Sequence, residues 1–201
     1  MRCGHLCRLE ELRNVEKPLV ITVSGPPGTG KTTLARTVAE AFSLPFFNKD
    51  GIKELLFDSL GWSDREWSKR LGGATYVLLW DIMERMLVAR ASFVVESNFT
   101  AALHSEQFIA LRGRYPFVPF QVNCTADGDV LYERFKERAE SGARHPGHTD
   151  VMSMDEFEEI LRRGRHDPLA IGGDVYEVDM TDFAKIDYAA LFTAIRGAMN
   201  G

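Results

Sequence analysis

The sequence predicts an α/β protein: three layers, with helices on both faces of a five-stranded, mainly parallel sheet, and a small helical lid. Three observations carry that reading. Short apolar runs alternate with stretches of helical spacing along the chain. A glycine-rich turn at 25–32 joins the first run to the first helix. The 201 residues suffice for one sizeable core but not two, and they contain no internal repeat, linker or low-complexity segment.

The elements follow in order. Residues 1–17 are polar and read as an N-terminal extension; 18–201 read as one domain. Leu19-Val20-Ile21-Thr22-Val23 is a buried strand, and 31–42 the first helix. Pro45-Phe46-Phe47-Asn48 is a short second strand. Asp50 follows as a helix cap, with a helix through 52–57. Ser63-Asp64-Arg65-Glu66 has the form of a capping box for another short helix, and 73–89 carries apolar residues at helical spacing. Phe93-Val94-Val95 is the third strand, 103–112 a helix, and 118–124 the fourth strand, in which Pro119 is awkward. A helix over 128–141, a loop over 142–150, a helix over 154–164 opened by Ser153, a strand at 175–178 and a helix at 185–199 complete the chain.

Composition excludes some function classes. Lys and Arg total 24 against 29 Asp and Glu, a formal charge of −5, which argues against nucleic acid as the main partner. No apolar run approaches the roughly 18 residues of a membrane span. No apolar signal core begins the chain, and there are three cysteines (Cys3, Cys7, Cys124), an odd number that suits a reducing compartment. The expectation is a cytoplasmic protein with no membrane partner. Cys3, His5 and Cys7 lack a fourth ligand and usual zinc spacing, so they read as part of the extension. Cys124 reads as a small buried apolar residue.

The residues Gly25-Pro26-Pro27-Gly28-Thr29-Gly30-Lys31-Thr32, followed by Thr33, complete a G-x-x-x-x-G-K-[ST] phosphate loop in the strand–loop–helix setting it requires. Glycines let successive N–H groups curl toward a phosphate, and the helix start adds its positive dipole end. Lys31 can reach the β- and γ-phosphates, and the Thr32 hydroxyl can ligate Mg²⁺. ATP and Mg²⁺ are the implied cofactors.

In a parallel sheet, ligands gather at the carboxyl ends of the strands. Asp50, just past the second strand, is placed to take a proton from a substrate hydroxyl; the plainer alternative is a helix cap. Glu96 ends the third strand and can organise Mg²⁺ or meet substrate, and Asn98 can hydrogen-bond a polar substrate. Arg134 and Arg138 share a helix face leading into the basic loop Gly142-Ala143-Arg144-His145-Pro146-Gly147-His148, a candidate lid over about 134–152. A solvated charged face is the alternative. His145 reads as a substrate or lid contact; a metal set of His145, His148 and Asp150 is disfavoured because Mg²⁺ prefers oxygen. Trp62, Trp67, Tyr76 and Trp80 read as core or pocket wall.

With Val23 to Ala35, Asn48-Lys49-Asp50, Val94 to Phe99, Glu133-Arg134-Phe135 and Arg144 to His148 in place, the chain resembles the small P-loop kinases over about residues 19–199. More narrowly, it is similar to the bacterial group related to zeta toxin, chloramphenicol phosphotransferase and gluconate kinase. The resemblance implies a P-loop NTPase fold and phosphoryl transfer from ATP to the hydroxyl of a small molecule. By position it makes Lys31 and Thr32 the phosphate and metal residues, Asp50 the base candidate, and Arg134, Arg138 and Arg144 lid arginines. It sets Thr181 near the adenine. The acceptor stays open; residues 52–80 and 98–112 are expected to line its pocket. A regulatory module that binds or hydrolyses ATP without an acceptor, and a toxin-like sugar-nucleotide kinase, remain alternatives. A GTPase is disfavoured because Asn48-Lys49-Asp50 lacks the spacer of N-K-x-D, and a remodelling ATPase because no residues remain for its helical domain.

Overall fold

The computed structural model describes residues 17–149 and 154–200. The strands are β1 (Leu19–Ser24), β2 (Phe46–Asn48), β3 (Phe93–Glu96), β4 (Val118–Thr125) and β5 (Asp174–Asp179). The α-helices are α1 (Lys31–Phe42), α2 (Lys49–Leu60), α3 (Arg65–Val88), α4 (Ala101–Arg114), α5 (Gly128–Ser141), α6 (Met154–Arg163) and α7 (Tyr188–Met199). The sheet order is β2-β3-β1-β4-β5 and every pairing is parallel. The chain runs from β1 out to β2 on one side and later to β4 on the other, so the order switches at the end of β1, where such sheets bind ligands.

Period-two alternation divides the core. Leu19, Ile21 and Val23 face α1 and α7; Val20, Phe93 and Val95 face α3 and α4. All six residues of β1 are buried, as expected of a central strand covered on both faces. A third, small cluster of Leu131, Phe135 and Leu161 joins α5 to α6 beyond the sheet. The cysteine expectation holds: Cys124 is buried under the sheet's α1 face, and burial pushes its thiol up to about 12.

Three local expectations change. Asn48, not Asp50, is the N-cap of α2, and Asp50 lies in the first turn, where the helix dipole favours a carboxylate. Asp64 rather than Ser63 caps α3, accepting from the Trp67 N–H at 2.8 Å. The short helix and the 73–89 helix are also one 24-residue element. Gly72 and Gly73 sit inside it at a cost of about 1 kcal/mol each relative to Ala; buried Leu71, Thr75, Leu79, Met83 and Leu87, spaced by three or four, hold it to the sheet. Pro119 is tolerated in β4 for a specific reason. Val118 donates toward the β1 side, to Pro18, so Pro119 faces the other side, where β5 pairs only from Phe120 onward.

Among the described residues, no helix is long and apolar enough to cross a membrane. The cluster Cys3, His5 and Cys7, the residues 150–152 at the end of the expected lid, and Ser153 lie outside the described residues.

Candidate active site

The parallel strands bring their carboxyl ends to one edge, and five sequence positions meet there: the loop after β1, Asp50 after β2, Glu96 ending β3, Thr125 ending β4 and Thr181 after β5. The loop is tightly folded. Gly25 has φ +151°, and a Cβ there would lie 2.4 Å from the Cys124 carbonyl, so any side chain would drive the loop off β4. Gly30 caps α1 in the left-handed region at φ +85°. Thr29 Oγ1 and Lys31 Nζ both donate to the Pro26 carbonyl, at 3.0 and 3.3 Å. Thr33 N–H closes the first turn onto the Gly30 carbonyl.

Behind the loop, Lys31 Nζ lies 3.8 Å from Glu96 Oε1, and the Thr32 hydroxyl donates to Glu96 Oε2 at 2.9 Å. Glu96 is opposite Val23 on one side and Asn48 on the other, so sheet register alone sets its carboxylate beside the loop. Burial raises the Glu96 carboxyl, offset in part by Lys31, and burial lowers the Lys31 ammonium. Each offsets part of the cost of burying the other's charge. A lysine, a threonine hydroxyl and a buried carboxylate at one point form a donor set that suits a phosphate and a hard cation.

Asp50 faces the loop from α2. Lys49 Nζ lies 3.2 Å from its Oδ1, and Arg144 pairs with its Oδ2. Burial alone would raise its carboxyl, but Lys49, Arg144, His148 and Lys31 outweigh burial and hold it well below the usual carboxylate range. Arg134 donates to the carbonyls of Met180 and Thr181, both at 2.7 Å, and its guanidinium lies 4.1 Å over the Phe183 ring. Arg138 lies over the Phe135 ring. The loop after α5 is tied to α2: the His145 ring stacks on Phe57 at 5.0 Å and meets Asp58 at 3.2 Å, while His148 meets Glu54 at 2.8 Å.

Lys31, Thr32, Asp50, Arg134, Arg138, Arg144, His145 and His148 line one cleft of about 680 Å³ that also takes in Pro27, Gly28 and Asn98; Glu96, buried against Lys31 and Thr32, and Thr181 are not part of its lining. Nine lysines and arginines face it against two carboxylates, Asp50 and Glu54, in a chain of net charge −5. Such concentrated positive charge draws anions. Of the segments expected to line it, 52–80 contributes Lys53, Glu54, Arg65, Ser68, Lys69 and Gly72, but 98–112 contributes Asn98 alone, because α4 spends Phe108 and Leu111 on the core. Of the aromatic stripe, Tyr76 and Trp80 pack against the core, and Trp62 sits edge-on to His145 at a neighbouring cavity of about 440 Å³. Sequence reasoning passed over Lys53 and Ser68. The only available signal was spacing: Lys49, Asp50 and Lys53 share a face of α2, and Ser68 and Gly72 a face of α3.

A model of the family described as "AAA domain" matches residues 20–162. The crystal structure of a "putative kinase" from Chloroflexus aurantiacus J-10-fl matches with TM-score 0.85 at 42% identity, over 91% of this chain and 99% of that one. A gluconokinase from Sinorhizobium meliloti 1021 matches with TM-score 0.53 at 21% identity, over 92% and 97% of the two chains, a likeness of fold. A cytidylate kinase of Staphylothermus marinus is 50% identical over 50 residues, 25% of this chain and 28% of that protein. The chain spans 28% or less of the length of the curated relatives it matches.

Proposed function

This chain belongs to the AAA domain family, and on that footing we propose that it is an ATP-dependent kinase transferring the γ-phosphoryl group to a hydroxyl of a small molecule in the cytoplasm. One observation carries the reading: the phosphate loop and the Asp50 carboxylate face each other across a single cationic cleft. A regulatory module that only binds nucleotide has no use for a half-buried carboxylate held ionised opposite its phosphates.

The residues fit ATP and Mg²⁺. The glycine turns leave a backbone cradle, and Lys31, resting on the Pro26 carbonyl, is free to swing onto the β- and γ-phosphates. Thr32 and Glu96 would hold Mg²⁺, which supplies charge neutralisation on the phosphates. Arg134, anchored at Met180 and Thr181, borders the base end. Arg138, Arg144 and the 142–149 loop act as a lid that closes on the γ-phosphate and excludes water.

In the transfer, the bond between the γ-phosphorus and the β,γ-bridging oxygen breaks and ADP leaves with its electron pair. The acceptor oxygen bonds to phosphorus, and its proton passes to Asp50 and then to water. Lys49 stays beside Asp50 and keeps its carboxylate a weak proton acceptor, so Asp50 mainly orients the hydroxyl, which suffices for a loose phosphoryl-transfer transition state. Arg144 must leave Asp50 for this, which couples the lid to the acceptor.

The test is ADP release with Mg²⁺ and ATP across sugars, sugar nucleotides, aminoglycosides, chloramphenicol-like amides and nucleosides, with Lys31→Ala as control. Acceptor-dependent ADP release that the control lacks is expected. ATP binding with no acceptor-dependent release across the panel counts against the reading.

A further inference from the structure

The acceptor end of the cleft contains a buried lysine that phosphoryl transfer, as described, does not use. Lys53 lies three residues after Asp50 and four after Lys49 on α2, facing the same cleft. It is 5% exposed, and its Nζ donates at 2.8 Å to the hydroxyl of Ser68 on α3, itself 1% exposed. The ammonium lies 5.1 Å over the Phe57 ring. Gly72, one turn after Ser68, also lines the cleft beside it, and a Cβ there would lie 3.7 Å from Nζ, in ordinary contact.

Among the described residues Lys53 has no ion pair. The carboxylates of the cleft are taken: Asp50 by Lys49 and Arg144, and Glu54 by His148. Burying an ammonium without a counter-charge is costly, and a hydroxyl acceptor does not neutralise it. Burial first, then Lys49, Arg65 and Arg144, pulls its pKa to about 7, even though Asp50 opposes them. A cleft wall that bears this cost gains when a ligand supplies the missing charge.

Resting on the kinase reading above, the geometry points to an anionic acceptor: a small hydroxylated compound whose carboxylate or phosphate monoester is bound by Lys53 and Ser68 while its hydroxyl meets Asp50. Asp50 and Lys53 are three residues apart on one face of α2 and line the same cleft, so one small molecule can meet both. A large neutral acceptor would leave Lys53 unpaired.

The experiment uses the full chain saturated with Mg²⁺ and a non-hydrolysable ATP analogue, so that the phosphate loop cannot capture the probes. Three series of small hydroxylated compounds of graded length are titrated by calorimetry: aldonates, polyol phosphate monoesters and the neutral alditols. At least one anionic series is expected to bind roughly ten- to a hundredfold more tightly than its alditol, the fold-change of one charge-assisted hydrogen bond, and which series binds distinguishes carboxylate from phosphate. Lys53→Gln should erase the preference while leaving analogue affinity unchanged, and Ser68→Ala should weaken it in part should the lysine variant not fold. In buffers of different ionisation heat, anion binding near pH 7 should take up a proton in the wild type and not in Lys53→Gln. Equal binding of alditols, no anion bound to the nucleotide-loaded protein, or a preference that survives Lys53→Gln overturns the inference. The two readings fail separately: Lys31-dependent transfer to neutral acceptors alone keeps the kinase and removes the anionic acceptor, whereas anion binding that elicits no ADP release from ATP with any anion bound removes the kinase.

Discussion

At the donor end of the cleft, sheet register and backbone turns do most of the positioning: Glu96 is set by its neighbours Val23 and Asn48, and Lys31 and Thr32 by the start of α1 against it. At the acceptor end, side chains from three separate segments position one another: Asp50 is held by Lys49 and Arg144, Lys53 by Ser68, and the 142–149 loop by His145 and His148 on α2. The first arrangement is stiff because it is part of a covered parallel sheet. The second rests on polar contacts between side chains of separate segments, some of them, such as Asp50 and Glu54, partly exposed, and a ligand that competes for these groups can rearrange them. The difference fits a kinase that treats its nucleotide as fixed and its acceptor as the event that triggers closure.

The sharpest way to break this comparison is at the stiff end. Lys31→Ala should lower acceptor-dependent ADP release by about 10³-fold, the upper range for removing one preorganised transition-state donor. A loss below about tenfold would mean that the loop binds phosphate without stabilising its transfer. Asp50→Asn should cost less, about 10²-fold in kcat with the KM for ATP nearly unchanged, because a carboxylate so strongly held in its ionised form contributes orientation more than proton affinity. An unchanged kcat would reduce Asp50 to a first-turn residue of α2.

The same contrast explains what could be read from the chain. The donor site occupies contiguous residues, 25–33, whose spacing is dictated by phosphate geometry, so the motif alone located it. The sheet was legible because β1 and β3 are apolar runs and β4 alternates Phe120, Val122 and Cys124 with Gln121 and Asn123, and Pro119 stood out although β5 begins late enough to excuse it. The acceptor site was not legible in the same way. Lys53 looks like any surface helix lysine until α3 covers it, and that cover depends on a helix running unbroken through Gly72-Gly73, where local propensity favours a stop. Arg65 and Lys69 meet Glu156, which is 91 and 87 residues away in the chain. Tertiary packing decided these cases, and no spacing rule reports it.

A smaller effect probes the boundary between the two ends. Glu96→Gln keeps the acceptor for the Thr32 hydroxyl but removes the charge opposite Lys31. It should raise the Mg²⁺ concentration needed for half-maximal activity by about tenfold, the low end for a group acting on a metal site. Saturating Mg²⁺ should restore most of kcat. A variant whose defect excess Mg²⁺ cannot restore would place Glu96 in the alignment of Lys31 instead.

The smallest effect at neutral pH concerns His166, which ties the segment before β5 to the strands beneath the donor end. Its Nδ1 lies 3.2 Å from the Phe99 carbonyl, and its own carbonyl accepts from Asn123 at 3.1 Å. Burial, then Lys31 and Arg163, lowers its pKa from 6.5 to about 4, so the folded protein keeps the ring neutral. The unfolded chain begins to bind a proton there below pH 6.5 while the folded chain does not. Stability from this group is therefore fully present above pH 6.5, declines as the pH falls, and is lost on passing through about 4. Denaturant midpoints measured across that window should fall more steeply in the wild type than in His166→Gln, and the two proteins should respond alike above pH 7. A residual slope in the variant is expected from His104, which burial also lowers. Parallel profiles would show that the ring accepts its proton in the folded state, and that the packing beneath the donor end yields more readily than its burial implies.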